Sequence, residues 1–238
     1  MSQRLSGQVA VVTGASRGIG RAAALCLARE GAHVIAVARK VGALELLDDE
    51  IKSLGQRDGA TLVPLDLRDH NGLDRLGQSI LSRWGKLDIL LGNAGMLGQI
   101  TPVEHITPAK WQELLDVNLT ANWRLIRSLS ALLHASPNGG RAVFVTSGAA
   151  RSNKAFWGGY AMSKAALESL VKIWATENAK TKLRVNLFNP GATRTEMRAS
   201  AMPGEDPMTL PAPETVAEAI VPLLLPECSS NGEVVDFR

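Results

Sequence analysis

A chain of 238 residues carries 26 Lys and Arg against 23 Asp and Glu, a balance of +3, with 45% hydrophobic and 21% charged residues. That length suits one well-buried α/β domain and is short for two, and a small surplus spread along the chain lacks the concentrated basic face of a nucleic-acid-binding protein. No apolar run approaches the roughly 18 residues of a membrane span, and Cys26 and Cys228 stand far apart with no Cys or His at metal-ligand spacing, so no membrane, metal or disulfide is expected.

The first apolar run, 9–13, begins too early to leave room for a signal peptide's apolar core, and the expectation is a soluble cytoplasmic protein. It leads into Thr13-Gly14-Ala15-Ser16-Arg17-Gly18-Ile19-Gly20 and a helical stretch, 18–30, which Gly31 closes. Strand-like runs follow at 33–38, 61–65, 87–92, 141–147, 184–189 and, briefly, 233–236. Helical stretches separate them at 41–54, 71–84, 108–134, 159–181 and 214–225, with Thr107 and Pro108 read as N-cap and first helical residue. The strands are nearly continuous in Val, Ile, Leu and Ala, as in a sheet covered on both faces. Alternating strand and helix then predicts a single α/β domain over 1–238, a Rossmann-type, doubly wound parallel sheet of about seven strands. One stretch, 195–212, breaks the rhythm with three methionines and three prolines. It follows a strand, so it is expected as a substrate lid over the carboxyl edge of the sheet.

Gly14, Gly18 and Gly20 let the backbone turn sharply between strand and helix, where free N–H groups and a partial positive charge suit a diphosphate. The second strand ends in Ala38, followed by Arg39 and Lys40, where an acidic residue would bind the ribose of NAD. Cations there, with Arg17 in the turn, favour the 2′-phosphate of NADP over NAD, unless Arg39 and Lys40 are merely solvated charges.

Tyr160, the chain's one tyrosine, stands four residues before Lys164 on one helix face. A phenol can donate to a carbonyl oxygen as hydride reaches its carbon. An ammonium about 4 Å away would favour the phenolate by roughly 4 kcal/mol before desolvation at an effective dielectric near 20, at most about three pKa units. Ser147, at a strand end, would hold the substrate oxygen. Singly, each has an ordinary structural reading; beside a phosphate-binding turn they form a set.

The chain here resembles the short-chain dehydrogenase/reductase family in its compact single-domain branch, through Thr13-Gly14-x-x-x-Gly18-x-Gly20, Asn93-Ala94-Gly95, Asn118, Ser147, Tyr160-x-x-x-Lys164 and Asn189-Pro190-Gly191. The run 189–201 looks like a bacterial subgroup of uncharacterised oxidoreductases. Gly92 departs from the family, which commonly has Asn there. The resemblance implies that Tyr160 is the general acid/base, that Ser147 positions substrate and that Lys164 also binds the nicotinamide ribose. Asn118 would hold a water of the proton relay. Asp66 would accept from the adenine amino group with Leu67 beside it, Asn93, Ala94 and Gly95 would line the adenosine side, and Pro190, Gly191, Thr193 and Thr195 would meet nicotinamide and phosphates. Basic residues at Arg17 and Arg39 mark the family's NADP-preferring members.

The expected activity is NADP(H)-dependent hydride transfer between nicotinamide and a small or medium carbonyl or secondary alcohol. Phe156, Trp157, Met96, Met197 and Met202 are expected as pocket walls. Two alternatives stay open: reduction of 3-oxoacyl groups on an acyl-carrier protein, with Lys180, Lys182 and Arg184 as a basic docking cluster, and a catalytically silent NADP sensor. The resemblance also implies a homodimer or homotetramer built from the two long helices, whose apolar residues (Trp123, Leu129, Leu132, Leu133, Leu167, Leu170, Trp174) exceed what one sheet face needs.

Overall fold

Strands of unbroken Val, Ile, Leu and Ala are stable only where both faces are covered. The chain achieves this in the computed structural model, which describes residues 3–56 and 58–237. Strands β1 (Val9–Thr13), β2 (His33–Ala38), β3 (Thr61–Pro64), β4 (Ile89–Gly92), β5 (Arg141–Val145), β6 (Arg184–Asn189) and β7 (Val234–Asp236) form one parallel sheet ordered β3-β2-β1-β4-β5-β6-β7. Helices α1 (Gly18–Arg29), α2 (Val41–Ser53), α3 (His70–Trp84), α4 (Pro108–Leu115), α5 (Ala121–His134), α6 (Ala149–Ser152), α7 (Gly158–Glu177), α8 (Glu196–Ala201) and α9 (Pro213–Leu224) connect them. The alternation of side chains along each strand divides the interior in two. Ala10 and Val12 of β1 share a core with Leu27, Leu47 and Ile220 of α1, α2 and α9, and Val9 and Val11 share the other with Leu73, Leu125 and Val171 of α3, α5 and α7.

The chain moves outward from β1 through β2 to β3, then crosses to β4 on the other side of β1. This reversal opens a crevice at the carboxyl ends of β1 and β4, where doubly wound sheets bind ligands.

Three expectations change. The stretch 108–134 is two helices joined by a π turn, Asp116–Thr120, because tertiary bonds to Asn118 widen the helix there. The stretch 195–212 contains α8, capped by the Thr195 hydroxyl that accepts from Arg198 N, and a 3₁₀ turn, Pro207–Thr209. The apolar surplus on the long helices is largely absent: Leu129, Leu132, Leu133, Leu167 and Trp174 are buried in the chain's own core. Trp123 on α5, 43% exposed, and Ile173 on α7 are what those faces offer to self-association. Among the described residues no helix is long and apolar enough to cross a membrane, and both cysteines are free thiols.

Candidate active site

The glycine-rich turn is shaped by its neighbours. Gly14 and Gly18 take φ of 67° and 55°, the left-handed region that glycine alone enters at no cost. A Cβ on Gly20 would lie 2.3 Å from Asn93 Nδ2 and 2.4 Å from the Gly14 carbonyl oxygen, so the first turn of α1 packs directly on the strand exit. Thr13 ties the two sides of the crevice together: its hydroxyl accepts from Asn93 N at 3.0 Å and Ala94 N at 3.1 Å, and its carbonyl accepts from Asn93 Nδ2 at 2.9 Å. No side chain caps the N-terminus of α1, which leaves its first-turn amides facing the crevice for an anion.

The turn opens on a cavity of about 510 Å³. Of the site residues named from sequence, only Gly20 and Asn118 do not line it; Ser16, Ile19, Leu67, Gly95, Pro190, Gly191, Thr193 and Thr195 all do. Asn118 lies behind the wall, fully buried. Its Oδ1 accepts from Met96 N, and its Nδ2 donates to Met96 O and Ser163 Oγ, each at 2.9 Å. Ser163 Oγ donates in turn to the Tyr160 carbonyl at 2.8 Å, so Asn118 braces the turn of α7 that carries the phenol.

Tyr160, Ser147 and Lys164 converge, but the electrostatics differ from expectation. Burial pushes the Tyr160 phenol above its ordinary value, and a hydrogen bond with Ser147 opposes that rise. Lys164 Nζ donates to the Val145 carbonyl at 2.8 Å and lies 6.0 Å from the centre of the Tyr160 ring, and the rise in the phenol is set by burial. Burial lowers Lys164 to about 8. The phenol is therefore held as an acid in its protonated form, and the ammonium beneath it releases a proton close to neutrality.

This depression has a measurable consequence. Below about 8 the ammonium is charged in folded and unfolded chains alike, and the fold bears the cost of burying it; above the ordinary 10.5 it is neutral in both. The unfolded chain binds more protons in between, so the ligand-free protein should gain stability as pH rises from about 8 towards 10, by at most about 1.4 kcal/mol per pH unit. Lys164→Met should abolish the rise. Urea denaturation across that window would test it, and an identical slope in the variant would contradict the assignment.

At the adenosine end, Arg39 follows β2 and no carboxylate occupies the strand's end. Asp66, expected to meet adenine, is already engaged: Arg68 Nε and Nη2 donate to its carboxylate at 3.1 and 2.6 Å, which holds it below the usual range. Arg39 is 4.0 Å away from it, and Arg17 is paired with Glu196 of α8 across the mouth. Arg68 is a cation that sequence reading missed; its place two residues beyond Asp66 was the available signal. Thr13 was read as part of the turn without its bridging role. Of the expected pocket walls, Met96, Trp157 and Met197 line the cavity. Phe156 does not: its backbone takes φ of 70° and its ring is exposed, lining a separate shallow groove with Val103. Met202 also lies outside, its sulfur 3.9 Å from Lys154 Nζ. The Lys180, Lys182 and Arg184 cluster lies at the amino end of β6, opposite the carboxyl edge that carries the cavity. None of the three lines the cavity that holds Tyr160.

The chain has known relatives. Residues 8–206 match the family model described as short chain dehydrogenase. An uncharacterised oxidoreductase of Escherichia coli K12, YciK, is 39% identical over 89% of this chain and 84% of its own length. An uncharacterised NAD-dependent oxidoreductase of Mycobacterium tuberculosis is 35% identical over 81% of this chain and 74% of its length. A solved structure from Escherichia coli CFT073, complexed with NADPH, superposes with a TM-score of 0.90 at 37% identity over 98% of each chain. With strand order, glycine turn and Tyr160–Lys164 pair in place and the family model matched over most of its length, the chain belongs to the short-chain dehydrogenase family of oxidoreductases.

Proposed function

We propose that this oxidoreductase uses NADP(H) and acts on a carbonyl compound or the corresponding secondary alcohol, with Tyr160 as general acid/base. The observation that carries the reading is a buried phenol, hydrogen-bonded to Ser147, in one cavity with Lys164 and an uncapped, glycine-rich helix start. The residues fit a dinucleotide: glycines where a Cβ would intrude, amides for a diphosphate, and cations where the ribose phosphate would lie.

When bound, the reduced nicotinamide supplies hydride to the carbonyl carbon. Ser147 Oγ orients the carbonyl oxygen, and Tyr160 Oη donates its proton as negative charge develops there. Lys164 Nζ, near 8, can resupply that proton. Asn118 keeps Tyr160 in register through Ser163. Met96, Trp157 and Met197 give the substrate side apolar walls that exclude water. A silent cofactor sensor would have no use for this convergence.

Relatives differ in cofactor, so the choice rests on this chain's own charges. Arg39 is two-thirds exposed, with no ion pair tighter than 4.0 Å, which supports its pairing with a 2′-phosphate. A charge-assisted bond of about 1.5–3 kcal/mol means that Arg39→Ala should weaken NADPH binding by about tenfold or more, with NADH little affected. The test is consumption of reduced nicotinamide with a panel of ketones and aldehydes, NADPH against NADH, for wild type and variant. Equal or better use of NADH by the wild type would overturn the NADP assignment, and no turnover of any carbonyl despite bound cofactor would overturn the catalytic one.

A further inference from the structure

Ser147 must hold a substrate oxygen in a fixed place, yet it sits on the short connection between β5 and α6, with no regular secondary structure of its own. Both of its neighbours are tethered. On one side the Thr146 hydroxyl donates to buried Glu168 Oε1 of α7 at 2.9 Å. On the other, Gly148 N donates to Asn189 Oδ1, at the end of β6, at 3.0 Å. Asn189 Oδ1 also accepts from Gly191 N at 3.2 Å, within the turn that forms the cavity's other wall. Asn189 Nδ2 donates to Asp236 Oδ1 of β7 at 2.8 Å, and Arg151 Nη2 donates to the same oxygen at 2.9 Å. Arg151 Nε lies 3.7 Å from Glu168 Oε1, which closes a ring of polar groups around Ser147. The amide orientation of Asn189 is forced, because backbone N–H groups can only donate and a carboxylate can only accept.

We infer that Asn189 and Asp236 are a positioning pair: Asp236 fixes the Asn189 side chain, and Asn189 sets the distance between the Ser147 connection and the Pro190-Gly191 turn. The last strand of the sheet, far from Tyr160 in sequence, thereby helps to set the width of the site. One oxygen serving two backbone donors from opposite walls couples substrate positioning to cofactor seating. This rests on the function proposed above, in which Ser147 holds substrate, and on Gly191, which lines the same cavity, meeting the cofactor.

The pair can be tested by reversing its polarity. Asn189→Asp keeps an oxygen for Gly148 and Gly191 but sets two carboxylates against each other. Asp236→Asn alone leaves an oxygen for Asn189 Nδ2. The double variant restores one donor and one acceptor in reversed order. NADPH affinity by fluorescence titration should fall by about tenfold in Asn189→Asp, by no more than about threefold in Asp236→Asn, and return to within about threefold of wild type in the double variant. The turnover number should follow the same order. A purely structural defect would lower urea stability without that recovery in affinity. An Asn189→Asp variant within twofold of wild type, or a double variant as weak as Asn189→Asp, would overturn the pair. Amide exchange in the ligand-free chain judges the pair separately: Gly148 and Gly191 should exchange at least about tenfold faster in Asn189→Ala than in wild type, and unchanged exchange would also overturn it. A wild type that binds no NADPH would instead remove the proposed function, while the exchange measurement still decides the pair.

Discussion

Replacing Tyr160 by Phe is expected to lower kcat/KM by about a thousandfold, within the 10²–10⁴ range for a positioned general acid. The variant removes one oxygen and leaves the ring. That ring is nearly buried and meets Trp157 edge-on, with centroids 6.0 Å apart at 71°, so the packing that seats α7 survives. Asn118 acts on the Tyr160 backbone through Ser163, and those bonds are untouched. NADPH affinity should therefore change by less than about 1 kcal/mol, and thermal stability should hold, because the lost partner of Ser147 can be replaced by water in an open cleft. The loss then belongs to the transition state. Steady-state kinetics with NADPH and the best carbonyl, alongside cofactor titration, would check it; a variant within tenfold of wild type would remove Tyr160 from the acid role. The direction of the pKa shift sharpens this expectation. Burial keeps the phenol protonated, so reduction should stay supported at alkaline pH until the phenol itself ionises.

What the sequence made legible depended on how local the cause was. The strands were readable because burial on two faces demands unbroken apolar runs, and each of the seven runs became a strand. The Tyr160–Lys164 spacing was readable as one helical turn, and the turn between β1 and α1 as glycines between a strand and a helix. The electrostatics were not readable: proximity on a helix face gave no hint that Lys164 Nζ would turn to the Val145 carbonyl, a partner 19 residues away. The π turn left no local trace either, since Asn118 is held by Met96 and Ser163, 22 and 45 residues distant. Helix α8 could have been found. Thr195 three residues before Arg198 is an N-cap signal, obscured by the prolines and methionines around it. At Asp66 the motif located a residue that lines the cavity but not Arg68, whose guanidinium is hydrogen-bonded to its carboxylate.

The largest expected loss of stability lies at the opposite end of β5 from Ser147. Arg141 opens that strand and is 6% exposed, a guanidinium buried with no carboxylate at ion-pair distance among the described residues. Burial lowers its pKa, yet a guanidinium does not lose its proton in a protein. Its charge is met by carbonyls. Nε donates to Leu225 at 3.2 Å, Nη1 to Gly139, Gly140 and Lys182 at 3.0, 3.1 and 3.3 Å, and Nη2 to Pro226. These come from the turn before β5, the entry to β6 and the segment after α9, so one side chain joins three chain segments beneath the sheet. Gly139 shows how tight the joint is, with φ of 74° and a Cβ that would lie 2.3 Å from the Lys182 carbonyl oxygen. Arg141→Met keeps most of the apolar stem and removes every donor. With each buried unsatisfied group costing about 1–3 kcal/mol, and water reaching some of them, the loss should be about 4 kcal/mol, a large share of the roughly 5–15 kcal/mol that holds a domain together. Arg141→Lys should recover only part of it, because a point-like ammonium cannot reach carbonyls spread around a planar fork. Urea denaturation would measure the loss, and a cost below about 1 kcal/mol for Arg141→Met would show that water replaces the fork. The folded fraction should still bind NADPH normally, since the cavity lies at the far ends of these strands. That separation sets Arg141, which acts on the whole fold, apart from Asn189 and Asp236, which act on the site.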